Sequence, residues 1–472
     1  MLISIIICLV SFAILVWWLR RIKISIGLPI AYLFSLLFIH VPGAVANMSG
    51  VGDFGGIKAT EIGIRYTALG VIAFVIGVIG YGMIANIHYH EKPSSRASRG
   101  SGRFNVFCVV GGLMLIYMVR EFVNIPTVNA IVDKGGAIWI LGVLVGLQGA
   151  VRRRNILLTV IWLGVMLVFP VITLFRAGFL SFGSVPVFII LSGLVIFTRS
   201  WRRVCIAIPV VAVGFSSLFL GYFQYRDEFR SVLGQGGGVE LRVMKTLDMA
   251  SGIAIYDPEN TAHFDAFDLR LNQNFFVGRA AENLEGGTVD YLYGRSIWEG
   301  AISLIPRIVW PSKPVYGGSP GIIMEMTGFA VNDETSMGVG NVMEFYINFG
   351  IWSLIIGFVI LGGLFGWLDR HAAVGIRNGE LTKALVYFLP AVAMIHPNGS
   401  IVELVGGAGV ALIAALLWGV TWQYYISLMD DSGSLSGRRR VRRKRLGQSP
   451  DQAQRSVGER NAIPADEERE TF

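Results

Sequence analysis

Eleven apolar segments, each near the length a lipid bilayer requires, recur along the chain and decide what it can fold into. They run over 1–19, 24–46, 63–86, 104–120, 135–150, 156–175, 178–198, 204–223, 344–368, 382–397 and 402–428. A hydrocarbon core about 30 Å thick takes roughly 20 consecutive apolar residues as a helix. Only such a helix satisfies its own backbone polar groups in lipid. Charged residues make up 15% of the chain, where a soluble domain carries about 25%. That deficit excludes a water-soluble enzyme built around one apolar core, and it excludes disorder for most of the chain. The expected fold class is an all-α polytopic membrane protein with about 11 transmembrane helices. The first segment has no basic stretch before it and no small-residue cleavage site, and Arg20, Arg21 and Lys23 follow it directly. It reads as a retained helix rather than a signal peptide.

Lysine and arginine are distributed unevenly between alternate loops. One set carries Arg20, Arg21 and Lys23, then Lys92, Arg96, Arg99 and Arg103, then Arg152, Arg153 and Arg154, then Arg199, Arg202 and Arg203, then Arg370, Arg377 and Lys383. The short loops of the other set hold only Lys58, Arg65, Arg120, Lys134 and Arg176. The positive-inside rule puts the first set in the cytoplasm and the N-terminus outside. An odd number of spans then puts the tail cluster at 438–445 in the cytoplasm too. The net charge of +8 therefore reports topology and contact with anionic lipid rather than nucleic acid, because the basic residues sit in short clusters between apolar runs.

The expected division is 1–223 for helices 1–8, 224–343 for one large outer loop, 344–428 for helices 9–11, and 429–472 for a disordered basic cytoplasmic tail. Connections as long as that loop are generally functional. Helical spacing is expected over 239–251, and a short amphipathic helix over 296–305, stopped by Pro306. Trp298 and Trp310 suit a membrane–water boundary. The pattern predicts short helices lying on, or dipping into, the outer leaflet and roofing a cavity between the spans.

Candidate chemistry concentrates on this outer side. Arg176 ends the sixth segment at the membrane rim, where an ionisable group is a functional hypothesis. Prolines 306, 311 and 314 hold Arg307 and Lys313 in a rigid frame suited to phosphate; arginine forms paired hydrogen bonds and lysine adds a point charge. Arg270 and Arg279 flank Asn272, Gln273 and Asn274, whose amides suit sugar hydroxyls. Arg295 lies among the loop's other cations, and Glu344 opens the ninth segment, placed for an ion pair or a substrate contact. Candidate bases are Glu282, Glu285, Asp290, Glu299 and His263, the loop's single histidine. Three cysteines without a CxxC, and a lone His88/His90 pair in a Ser-rich basic loop, offer no metal site. No phosphate-binding loop, HExxH or GxSxG occurs. No cofactor is expected.

The stretch from Tyr293 to Gly350 is the most distinctive. It reads YGRSIWEGAISLIPRIVWPSKP, then a turn-rich region, then GNVMEFYINFG. It resembles the bacterial oligosaccharide repeat-unit polymerases, the O-antigen polymerase (Wzy-type) family. That family shares an IPR-x-x-WP-x-KP element, a following GE-x-Y-x-NFG-like span and one large late periplasmic loop. Here Met343 replaces the small residue before Glu344. Arg176 also looks like an arginine the family often carries after a tight span hairpin.

The resemblance implies a GT-C-like membrane glycosyltransferase of the inner membrane. It would polymerise undecaprenyl-pyrophosphate-linked oligosaccharides into O-antigen, capsule or exopolysaccharide on the periplasmic side, without metal or nucleotide sugar. A chain-length regulator is a possible partner. Arg176, Arg279 and Arg307 would meet the pyrophosphate, supported by Arg270, Arg295 and Lys313, while Glu299 or His263 would assist the acceptor hydroxyl. A ligase would differ only in acceptor. A transporter of lipid-linked sugar would need charged residues deep in several spans, and the spans are nearly free of them.

Overall fold

The computed structural model describes residues 1–50, 56–87, 101–119, 125–177, 181–198, 260–305, 309–314, 318–330 and 337–446, with single positions at 122 and between 200 and 257. Every regular element among the described residues is helical. The first eight α-helices are α1 (Leu2–Ile22), α2 (Leu28–Met48), α3 (Ile57–Ile87), α4 (Ser101–Met114, continued by a π-helical turn over Leu115–Val119), α5 (Pro126–Gly136), α6 (Ile138–Arg152), α7 (Ile156–Ala177) and α8 (Ser181–Phe197). Then come α9 (Thr261–Leu271), α10 (Gln273–Glu285), α11 (Arg295–Ser303), α12 (Gly318–Thr327), α13 (Asn341–Phe349), α14 (Ile351–Asn378), α15 (Leu381–Met394) and α16 (Ile401–Leu446). Six helical stretches among the described residues are long and apolar enough to cross a membrane: Leu2–Ile22, Leu28–Met48, Ile57–Ala85, Thr127–Arg152, Ile351–Asn378 and Ile401–Ser427. Shorter apolar stretches occupy Gly102–Met114, Ile156–Met166, Ser184–Phe197 and Leu381–Met394.

Specific contacts fix the two ends of the bundle formed by residues 1–416. The Met1 ammonium lies 3.7 Å from Glu61 at the start of α3. At the other end, Asp369 of α14 accepts hydrogen bonds from the Ile26 and Leu28 amides, at 3.1 and 3.0 Å, and so caps α2. Arg20 donates to the Val195 carbonyl, Arg370 to the Ala85 carbonyl at 3.3 Å, and Arg152 lies beside Arg377. Arg20, Arg152, Arg370 and Arg377, from basic turns that the sequence assigns to one side, therefore gather at one end. The N-terminus and the helices of the large loop occupy the other.

Helices α3 and α14 meet backbone to backbone. A Cβ at Gly77 would fall 2.1 Å from the Val359 carbonyl oxygen, and one at Gly362 2.1 Å from that of Phe74. Small residues that permit such approach are what membrane helices use to gain packing, since lipid supplies no hydrophobic drive between them. Beside this seam, Tyr32 lies between Phe74 and Phe365, with ring centroids 4.9 and 4.8 Å away.

Several expectations need correction. The ninth segment is not one helix. Gly350 (φ 69°, ψ −144°) separates α13 from α14, in a conformation that residues with a Cβ rarely adopt. Glu344 thus belongs to a short helix that precedes the span. The fifth segment begins earlier, at Pro126, because α5 carries Asn129, Asp133 and Lys134 and does not read as apolar. The expected amphipathic helix forms as α11. The stretch 429–446, expected to be disordered, continues α16; arginine, lysine and leucine are good helix formers, and no proline occurs between Pro397 and Pro450. Most of the eighth segment and most of 239–251 lie outside the described residues.

Helices of the large loop pack against the spans. Helices α9 and α10 dock onto the ends of α2 and α3. A Cβ at Gly63 would overlap the Asn274 carbonyl oxygen at 2.0 Å, and one at Gly278 that of Ala59 at 1.8 Å. Asn272 and Asn274, expected to face sugar, are 3% and 0% exposed. Asn274 accepts a hydrogen bond from the Thr67 hydroxyl at 3.0 Å and pairs with His40 at 2.7 Å. Asn272 donates to Thr60 at 2.9 Å and to Asp268 at 2.6 Å. Buried amides must find partners, and these two find them in the seam between loop and spans.

Candidate functional site

Helix α13 carries Asn341, Glu344 and Asn348 at spacings of three and four, so all three share one face. Each is 0% exposed. Asn341 accepts from the Tyr32 hydroxyl at 2.8 Å and donates to the Gly399 carbonyl at 2.9 Å. Asn348 donates to the Ser296 hydroxyl at 2.8 Å and to the Glu344 carbonyl at 2.7 Å. Its side-chain oxygen accepts from the Gly294 amide at 3.0 Å. The Leu292 and Tyr293 amides donate to the Ile347 and Asn348 carbonyls, at 2.9 and 3.2 Å. The chain from Leu292 to Ser296 is thereby strapped onto the end of α13.

The Glu344 carboxylate lies at the centre. One oxygen accepts from the Ile401 amide at 2.6 Å, in the first turn of α16. A helix N-terminus is a favourable place for negative charge. The other oxygen has no hydrogen-bond partner among the described residues, although the Ser296 hydroxyl is near enough to favour the charged form. Burial pushes the Glu344 pKa up to about 7, against the Ile401 amide and Ser296, and the nearby Glu403 and Glu299 charges add to the rise. Burial thus favours the protonated form of this carboxyl well above the usual carboxylate range. Burial also raises the Glu299 pKa, with Arg295 opposing.

The walls follow from local sequence. Ser400 and Glu403 form a capping box: the Ser400 amide donates to Glu403 at 3.1 Å, and the Glu403 amide to the Ser400 hydroxyl at 3.2 Å. This reciprocal pair starts α16. Helix α11 covers the site, with Gly300 so close to Ile401 that a Cβ would meet it at 2.7 Å. Lys134 lies over Gly407, and its charge reaches Glu403 and His396. Beside the site, Tyr66 and Tyr346 direct their hydroxyls at Glu285, at 3.0 and 3.3 Å, with ring centroids 4.4 Å apart. Glu282 pairs with Lys58 at 3.1 Å and Arg279 at 3.6 Å. This rim combines two tyrosine hydroxyls, two carboxylates and two exposed cations, both cations being paired with Glu282.

The sequence candidates separate into groups. Glu344, Glu299 and Arg295 gather around α11 and α13, with Arg295 paired to Glu325. Arg279 stands half-exposed on the rim. Lys313 is drawn elsewhere: its ammonium donates to the carbonyls of Ile302, Ser303 and Ile305, at 3.2, 3.1 and 3.0 Å. It caps the C-terminus of α11, where a cation meets the negative end of the helix dipole. His263 makes its contacts at the start of α9, accepting from the Asp257 amide at 3.2 Å. Arg270 lies in the last turn of α9. Arg176 is in the last turn of α7; its side chain, and Arg307 entirely, lie outside the described residues. Glu344 is enclosed rather than presented for direct contact.

Sequence reasoning missed the capping box, although the Ser-x-x-Glu spacing at 400–403 is its signature. It also missed the Tyr66–Glu285–Tyr346 cluster, which no local motif announces. Among the described residues, no group of three or more histidine, cysteine or acidic side chains is arranged to hold a metal ion. No curated protein and no solved structure matches the chain. The match that does exist spans α3 to the middle of α15 and includes Glu344, though not its partner Ile401. It covers residues 56–387, well over half of the sequence, and on that basis the chain belongs to the family described as domain of unknown function DUF8712.

Proposed function

We propose that this protein is a membrane glycosyltransferase that polymerises oligosaccharide repeat units carried on undecaprenyl pyrophosphate. One observation carries the reading. The two segments that bear the resemblance to repeat-unit polymerases, around Tyr293–Trp298 and Met343–Gly350, interlock about one buried carboxyl group through Asn348, Ser296 and Gly294. In this reading the chain has eleven spans in a GT-C-like arrangement, with the N-terminus and the site on the periplasmic side of the inner membrane.

An acceptor hydroxyl oxygen attacks C1 of the donor glycan. The C1–O bond to the pyrophosphate breaks, and the lipid pyrophosphate leaves with the electron pair. Arg279, Arg176 and Arg307 stabilise the charge that grows on it, an effect worth several kcal/mol in a site poor in water. Glu299 takes the acceptor proton, which requires hydrogen-bond reach of that hydroxyl. Glu344 behind it is a positioning residue that holds α11, α13 and α16 together.

The test uses purified protein in detergent with a lipid-pyrophosphate-linked repeat unit and an excess of a second lipid acceptor. Wild type should yield glycans in integral multiples of the repeat. Arg307→Ala, Arg176→Ala and Glu299→Gln should each lower the yield by about 10²-fold or more, with melting temperatures unchanged. A single transfer to the second acceptor would instead assign a ligase.

A further inference from the structure

At the basic end of the bundle, far along the helices from the site above, a cleft of about 970 Å³ opens between α1, α2, α7 and α8. That is the upper end of the range for pockets that enclose an organic ligand. Its body is apolar, walled by Phe12, Phe34, Phe188 and Leu191. Its mouth is cationic, formed by Arg152 and Arg154 with Asn155 beside them, and none of the residues lining it is acidic. The division of one cavity into an apolar body and a cationic mouth is the shape of a lipid.

Three further observations favour an anion at the mouth. Neither Arg152 nor Arg154 forms an ion pair with a described residue, and Arg152 has Arg377 as a like-charged neighbour. Two adjacent arginines without an acid repel, and an anion relieves that repulsion. Arg154 has φ 54°, the left-handed conformation that ends helices and usually belongs to glycine. An arginine held there bears a strain that glycine would remove. Lastly, the mouth adjoins the N-terminus of α7, where Asn155 caps the Leu158 amide at 2.9 Å. The positive end of a helix dipole attracts negative charge.

We infer that this cleft binds an anionic phospholipid, with the headgroup phosphate on Arg152 and Arg154 and one acyl chain lying between Phe12, Phe34 and Phe188. Binding is independent of the glycosyltransferase reading, since the cleft lies at the opposite end of the helices.

The experiment is native mass spectrometry of the full-length protein released from nanodiscs of equal phosphatidylglycerol and phosphatidylcholine with identical acyl chains. Wild type should retain phosphatidylglycerol in excess, by about fivefold for each arginine engaged. Arg152→Gln with Arg154→Gln should return the ratio to that of the bilayer. Val160→Trp, which fills the cleft and leaves both arginines, should abolish retention. Thr159→Phe narrows the same wall and serves if the tryptophan variant fails to fold. Equal retention of the two lipids by wild type would overturn the proposal. So would an excess of phosphatidylglycerol that survives filling of the cleft, because the arginines would then act only as a surface patch.

Discussion

Glu344 inside the candidate site and Lys313 at the C-terminus of α11 separate different roles. Glu344 is 0% exposed and has a folded-state pKa raised from 4.5 to about 7. The folded protein therefore binds more protons than the unfolded chain between those two values, and stability falls as pH rises through that window. Complete loss across it amounts to about 3 kcal/mol. Glu344→Gln removes the ionisation. Its melting temperature should gain on wild type between pH 4.5 and 7 and then run parallel; curves parallel throughout would show that this carboxyl does not titrate there. Lys313 separates two roles. As a helix cap, Lys313→Met should cost about 1 kcal/mol of stability and leave turnover of the folded protein nearly intact. Loss of turnover without loss of stability would restore the phosphate role that the sequence implied.

Elements rather than residues decide how the loop meets the membrane helices. The docking of α10 on α3 depends on Gly278, where a Cβ would fall 1.8 Å from the Ala59 carbonyl oxygen. Gly278→Val should force the helices apart and destabilise by about 1–3 kcal/mol or more, read as a lower melting temperature in detergent and faster proteolysis between α9 and α11. Unchanged melting and cleavage would mean that the loop is not anchored there. The sequence announces this element poorly. Asn272 and Asn274 look like exposed polar residues because nothing nearby reveals that Thr60, Thr67 and His40 wait to receive them. The break at Gly350 is equally hidden. Phe345 to Ile356 reads as one largely apolar run broken only by Asn348 and Ser353, and a lone glycine in such a run more often serves helix packing than a turn. By contrast, α11 was legible in full, since Trp298, Ile302 and Pro306 mark its face and its end.

At the scale of the whole molecule, the apolar runs and the arginine pattern carry most of the architecture. Turns bearing Arg20, Arg152 and Arg370 gather at one end of the bundle because the alternation of basic and charge-poor loops encodes that order directly. The site is less legible, since its walls come from α11, α13 and α16, brought together across about a hundred residues of intervening chain. Glu344 could be picked from sequence as a polar residue in an apolar setting; its enclosure by Ile401 and Ser296 could not. The proposed glycan-lengthening role differs from transport or simple binding in what it does to a labelled substrate. The most direct measurement places the protein in vesicles with a lipid-pyrophosphate-linked repeat unit, labelled in the glycan, and follows both its size and its side of the bilayer. A polymerase yields a ladder of glycan multiples with one lipid pyrophosphate released per bond formed. Labelled substrate that crosses the bilayer at its original size would contradict that role.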